Sequence, residues 1–105
     1  MLIEGLEVMV PVPPSVAPLS TLAAEAGISM VHLAIGFVLA HRHVTSAIIG
    51  PRTMEQLVDQ LPFADRPLDD DVLDRIDALV PPGTDLVAGD AGYQPPVLLD
   101  PRLRR

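Results

Sequence analysis

The pattern of apolar positions predicts two helices in the first part of the chain. Between Met30 and about His41 apolar side chains cover nearly the whole circumference of a helix, which is typical of a helix that is buried on most sides. The preceding segment, Leu19 to Ala26, is rich in alanine and has a strong helical propensity. The first part of the chain is therefore predicted to form two consecutive helices.

Residues that favour helix ends stand at the borders of these two segments. Pro18 suits the first position of the first helix, and Gly27 suits its end. Ser29 suits the N-cap of the second helix, because its hydroxyl can accept a hydrogen bond from a backbone N–H in the first turn. The break between the two helices is predicted at residues 27–29.

The middle of the chain predicts one strand and two more helices. Thr45 to Ile49 is a β-branched run that suits a strand buried on both faces, as in a parallel sheet flanked by helices. A helix is predicted from Thr53 to Leu61, stopped by Pro62, and another from about Asp69 to Leu79. The apolar stripe of the last helix consists of Leu68, Val72, Leu73, Ile76 and Leu79. A single strand cannot pair with itself, so its partners are expected from another chain or from sequence outside these residues.

The two ends of the chain contain many prolines. Residues 1–17 include Pro11, Pro13 and Pro14, which favour an extended lead-in over a central strand. Residues 83–105 are rich in Gly, Pro and Asp and predict an irregular tail. The apolar helix and the unpaired strand together predict a tendency to self-associate.

Composition excludes several classes of function. Fourteen acidic and seven basic residues give a formal charge of −7, which argues against nucleic acid and anionic membrane as partners. The chain has no cysteine, and the spacing of its three histidines favours no metal site. The longest apolar run, Ile28 to Ala40, is shorter than the roughly 20 residues of a membrane span. A cytoplasmic protein is predicted.

The segment from Gly50 to Gln60 has the chemistry of a phosphate site. Gly50 lets a ligand approach the backbone, Pro51 stiffens the turn, and the planar fork of Arg52 can pair with phosphate. The helix that follows points its N-terminus at this turn, where an anion is favoured. Gln56 and Gln60 lie one helical turn apart, and their amides can reach the edge of an adenine. Alternatively, the segment is an ordinary turn followed by an amphipathic helix packed on a strand.

The wider context resembles a known family. Residues 22–29 (LAAEAGIS), 33–40 (LAIGFVLA) and 44–57 (VTSAIIGPRTMEQL) are similar, in unbroken order, to the C-terminal third of the aldo-keto reductases. The resemblance spans roughly residues 19–80. It implies an α/β fold, namely the C-terminal fragment of a (β/α)8 TIM barrel, mostly helical with a single barrel strand and an irregular tail. Residues 1–80 would form a partial NADP-dependent oxidoreductase domain, followed by the tail at 81–105.

The resemblance also implies a cofactor and a site. In the family, positions matching Gly50, Pro51, Arg52 and Gln56 contact the phosphate and adenosine of NADP(H), and the position of Gln60 usually carries an asparagine that contacts adenine. The family reduces aldehydes or ketones with a catalytic Asp, Tyr, Lys and His set. This chain has no lysine, so no catalytic residue is assigned to it. The alternative is a non-catalytic helical module that binds another protein.

Overall fold

A computed structural model of the chain describes residues 2–3, 6–9, 14–85, 89 and 92–104. Helices dominate this part of the chain, which confirms the mostly helical character predicted from the sequence. The elements are, in order, β1 (Leu2–Ile3), β2 (Leu6–Met9), α1 (Val16–Ala26), α2 (Met30–Leu39), α3 (Met54–Gln60), a 3-10 helix (Leu61–Asp65), α4 (Asp70–Leu79), α5 (Pro96–Leu99) and α6 (Pro101–Arg104). β1 and β2 form a short antiparallel pair. Pro11 and Pro13 of the predicted lead-in lie outside the described residues.

The break between α1 and α2 follows the predicted caps. Gly27 ends α1 in the left-handed conformation, with φ 71°, which a residue without Cβ adopts at little cost. The Ser29 hydroxyl accepts a hydrogen bond from the His32 backbone N–H at 3.0 Å and so caps α2. α1 begins at Val16, so Pro18 is the third residue of the helix and not, as predicted, the first. Proline is tolerated at this position because the N–H groups of a first turn have no partner within the helix.

The core lies where α1, α2 and α4 meet. Its buried members are Leu22, Ala23, Leu33, Leu68, Val72, Leu73 and Ile76. The predicted stripe of α4 is confirmed at four of its five positions. Leu79 is the exception: it is the last residue of α4, and 42% of it is exposed.

Gly36 allows α2 to pack closely against Leu68, which lies two residues before α4. A Cβ built on Gly36 would lie 2.7 Å from Cγ of Leu68, well inside van der Waals contact. Glycine in a helix interior costs roughly 0.5–1 kcal/mol relative to alanine. Close packing of Leu68, which is only 8% exposed, is the physical reason for glycine at this position.

The strand predicted for Thr45 to Ile49 is not present. Residues 44–51 have no regular secondary structure, and Ile48 is fully exposed. The physical reason is pairing: a buried strand needs neighbouring strands for its backbone N–H and C=O groups, and none of the described residues lies beside this segment as a strand. This corrects the prediction of a strand buried on both faces.

The predicted tail contains two single-turn helices in addition to irregular chain. Asp100 begins α6: its carboxylate accepts hydrogen bonds from the Arg102 backbone N–H at 3.0 Å and from the Arg102 guanidinium at 2.8 Å. The guanidinium holds the pKa of Asp100 below its ordinary value. Residues 86–88, 90, 91 and 105 of the predicted tail lie outside the described residues.

Candidate functional site

The turn before α3 is closed by two reciprocal hydrogen bonds. The Thr53 hydroxyl, at the N-cap, accepts from the Gln56 backbone N–H at 3.2 Å. The Gln56 side-chain oxygen accepts from the Arg52 backbone N–H at 2.7 Å. This pairing is a close relative of the capping box, in which the third helical residue reaches back to the N-cap. The sequence analysis missed this role of Gln56, although the Thr-x-x-Gln spacing signals it.

Gly50 is not required by the packing of the described chain. It is exposed, its φ is not positive, and a Cβ built on it would meet nothing within 4 Å. Arg52 is also exposed, so its guanidinium can be reached from solvent. Both observations are compatible with a ligand that approaches the turn from outside, as the predicted phosphate would.

The two glutamines of α3 differ in environment. Gln56 is exposed, whereas Gln60 is half-buried, and its side-chain oxygen is buried with no hydrogen-bond partner among the described residues. An unpaired buried polar atom costs about 1–3 kcal/mol. The structure thus brings Arg52 and Gln56 together but does not bring Gln60 to the same exposed surface.

The charges around α3 make one side of the turn more favourable for an anion than the other. Glu55 and Asp59 line a shallow depression on the exposed surface of the helix, together with Gln56. Two carboxylates repel a phosphate, so this depression is unfavourable for an anion. The Arg52 side of the turn carries the only positive side chain among residues 50–60, so it is the more favourable side for an anion.

Two of the three histidines, His32 and His41, have structural partners. His32 is buried, donates from Nε2 to the Arg66 carbonyl at 2.9 Å and stacks on the Phe63 ring with centroids 4.3 Å apart. His41 donates from Nδ1 to the Phe37 carbonyl at 2.8 Å. Across the part of the chain that the structure describes, no three His, Cys, Asp or Glu side chains lie together in a way that could hold a metal ion.

The helices are also short relative to a bilayer. Within the described ranges no single helix is both long and apolar enough to span a membrane. α1 and α2 reach that length and hydropathy only as a pair, and the pair is bent by 95° at its break.

Apolar side chains are exposed on α3 and next to it. None of the residues of α3 is buried, and the exposed fractions are 72% for Met54 and 63% for Val58. Leu61, which follows α3, is 55% exposed, and Ile48, which precedes the turn, is 100% exposed. The sequence predicts exposed apolar surface on the helix from Met30 to Ala40 and on the segment from Thr45 to Ile49. Met30, Val38 and Ile48 are indeed exposed, whereas α2 buries its His32, Leu33 and Gly36 side.

Comparison with known proteins gives the family. The family model described as "Aldo/keto reductase family" matches residues 14–81, which is 68 of the 105 residues. The chain belongs to this family. The match covers α1 to α4 together with the turn at residues 50–52, and it confirms the resemblance read from the sequence.

One similar protein is much longer than this chain. The protein "Uncharacterized oxidoreductase YrpG" of Bacillus subtilis (strain 168) is 38% identical over 62 residues, which are 59% of this chain and 19% of that protein. The chain therefore matches about a fifth of the length of this relative. No solved structure matched the chain significantly.

Proposed function

We propose that this chain forms the cofactor-binding end of an NADPH-dependent reductase of aldehydes or ketones. Barrel strands outside these 105 residues would complete the enzyme. The observation that carries the proposal is the turn at residues 50–52, with an exposed arginine before a capped helix, inside the segment matched by the aldo/keto reductase family. The name of the similar Bacillus protein, an oxidoreductase, supports the same reaction class.

The roles proposed for the residues follow their chemistry. Arg52 pairs with a phosphate of NADP(H), Gly50 lets the phosphate approach the backbone, and Pro51 keeps the turn rigid. Gln56 offers its amide nitrogen to the adenosine part. Gln60 contacts adenine only if its buried oxygen is exposed by a rotamer change. When bound, NADPH supplies the hydride that reduces the carbonyl carbon.

Catalysis is not assigned to these residues. Proton donation in the family depends on a tyrosine whose pKa is lowered by a neighbouring lysine. The chain has no lysine, and its single tyrosine, Tyr93, is 86% exposed. The chain can therefore provide cofactor affinity but not the proton donor.

We expect the isolated chain to show no carbonyl reductase activity. Purified protein incubated with NADPH and a panel of aldehydes should consume no more NADPH than a protein-free control, followed by nicotinamide absorbance. Turnover that disappears in the Arg52→Ala variant would contradict the proposed division of roles, because it would locate a complete active site in this chain.

A second candidate function is self-association or docking through α3. It is favoured by the exposed apolar side chains of Ile48, Met54, Val58 and Leu61. Three of these, at positions 54, 58 and 61, recur at the spacing of one helix face. The same surface would be covered by neighbouring strands in an intact barrel, so both candidates explain its apolar character.

The Val58→Glu variant tests this candidate. If copies of the chain meet through α3, a buried carboxylate should oppose the contact, and sedimentation should show the oligomer dissociating towards a monomer. Ala24→Glu adds the same charge at an exposed position of α1 and should leave the oligomer unchanged. A wild-type monomer with a sharp two-state melt would rule out self-association through this face.

A further inference from the structure

A half-open apolar cavity of about 440 Å³ lies beside α2, on the face that carries Leu33 and Phe37. Leu19 of α1, Leu33 and Phe37 of α2, and Ile76 at the end of α4 contribute its walls. None of the turn residues 50–52 lines it. Small-molecule sites in proteins are mostly apolar cavities of about 300–1,000 Å³ with a few polar groups. A cavity of about 150 Å³ already holds benzene, so this one has room for roughly two fused rings.

Other parts of the wall come from residues 80–84, which follow α4, and from the C-terminal strap, residues 95–104. Leu98 and Arg104 of the strap line the cavity. The strap is held in three ways: Arg104 donates from Nη1 to the Leu98 carbonyl at 3.2 Å, its guanidinium pairs with Asp77 of α4 at 3.6 Å, and its carbonyl accepts from the Arg42 backbone N–H at 3.4 Å. The last two of these contacts join the strap to α4 and to Arg42, which follows α2.

Gly83 lets the strap pack closely. Its φ of 81° is in the left-handed region, and a Cβ built on it would lie 3.0 Å from Cδ2 of Leu99. The Gln94 side-chain amide donates to the Gly83 carbonyl. The strap is therefore fitted against the turn that follows α4, and it encloses one side of the cavity.

The polar groups of the cavity define the kind of ligand. Asp77 and Arg104 pair with each other, and their side chains are only 19% and 16% exposed. Because the two charges compensate each other, they do not favour a charged ligand in the cavity. The hydroxyl side chains of Ser15 and Thr84 and the ring of His41 also line it, and the His41 Nδ1–H donates to the Phe37 carbonyl. In the neutral ring this tautomer leaves Nε2 as a hydrogen-bond acceptor.

We propose that this cavity binds an uncharged molecule of about two fused rings that carries one hydroxyl group. The rings fill the apolar space between α1, α2, α4 and the strap, and the hydroxyl donates to His41 Nε2. This site is separate from the proposed cofactor contacts, and its test does not depend on them.

Titration of the full chain with 2-naphthol and with naphthalene tests the proposal. The two probes differ only in the hydroxyl, and their fluorescence is free of tryptophan emission because the chain has no tryptophan. We expect 2-naphthol to bind with a dissociation constant on the order of 100 μM. Naphthalene should bind roughly three- to tenfold more weakly, since it lacks one hydrogen bond. Binding of 2-naphthol weaker than about 10 mM, or equal affinity for the two probes, would overturn the proposal.

Two variants test the location of the site. Ala34 lines the cavity and is not part of the core, so Ala34→Phe should fill the space and weaken 2-naphthol at least tenfold, whereas Ala78→Phe, at an exposed position of α4 outside the cavity, should not. His41→Leu should remove the preference for 2-naphthol over naphthalene. Circular dichroism checks that each variant is folded, and either one suffices if the other unfolds. Unchanged binding in Ala34→Phe, or a retained preference in His41→Leu, would refute the assignment.

Discussion

Replacing Arg52 by alanine in a completed barrel should weaken NADPH binding by roughly ten- to a hundredfold and leave NADH binding nearly unchanged. A charge-assisted hydrogen bond contributes about 1.5–3 kcal/mol, which corresponds to that range. Only NADPH carries the 2′-phosphate with which the exposed guanidinium can pair. The measurement is a fluorescence titration of both cofactors against a fusion of this chain to the missing portion of a family reductase.

The matched control is Arg42→Ala, which removes another exposed guanidinium, at the end of α2. We expect it to change neither cofactor affinity by more than about twofold, since long-range charge effects are screened by salt. Equal losses for NADPH and NADH on replacing Arg52 would mean that its guanidinium stacks on the adenine ring. The 2′-phosphate would then be held by another residue.

Replacing Leu22 by alanine should destabilise the fold by about 2–5 kcal/mol. Leu22 is 2% exposed and packs at the centre of the core formed by α1, α2 and α4. Small domains are stable by only about 5–15 kcal/mol, so this loss is a large fraction of the total. Urea unfolding followed by circular dichroism should show a much lower midpoint, or no folded baseline.

Leu79→Ala is the control for this measurement. It deletes the same atoms from a leucine of α4 that is 42% exposed, and we expect a change below about 1 kcal/mol. Equal effects at the two positions would show that the core does not lie where α1 meets α4.

Local signals in the sequence predicted the helices well. Gly27 and Ser29 act within four residues of their own positions, so their roles as caps do not depend on the rest of the fold. The stripe of α4 was predicted for the same reason, because residues on one helix face are set by the helical period. The family was predicted from the order of such short segments.

Features that depend on distant parts of the chain were not predicted. The segment from Thr45 to Ile49 has the composition of a strand, but strand formation requires partners that the described residues do not supply. The ion pair between Asp77 and Arg104 joins residues far apart in sequence, and no periodicity signals it. The hydrogen bond from the Arg52 backbone N–H to the Gln56 side chain was not predicted, because the Gln56 amide is equally suited to a ligand.

The Arg52 backbone N–H donates to the Gln56 side-chain oxygen, so this oxygen competes with any ligand for the same N–H. An anion can use this N–H only after it displaces the Gln56 oxygen. A bond of about 1 kcal/mol keeps the N–H occupied for roughly five-sixths of the time, which lowers the apparent affinity of any ligand that needs it about sixfold. The guanidinium of the same residue carries no such penalty. A phosphate that arrives from solvent therefore gains most at the Arg52 side chain, and only a ligand that also gives Gln56 a new partner recovers the backbone contact.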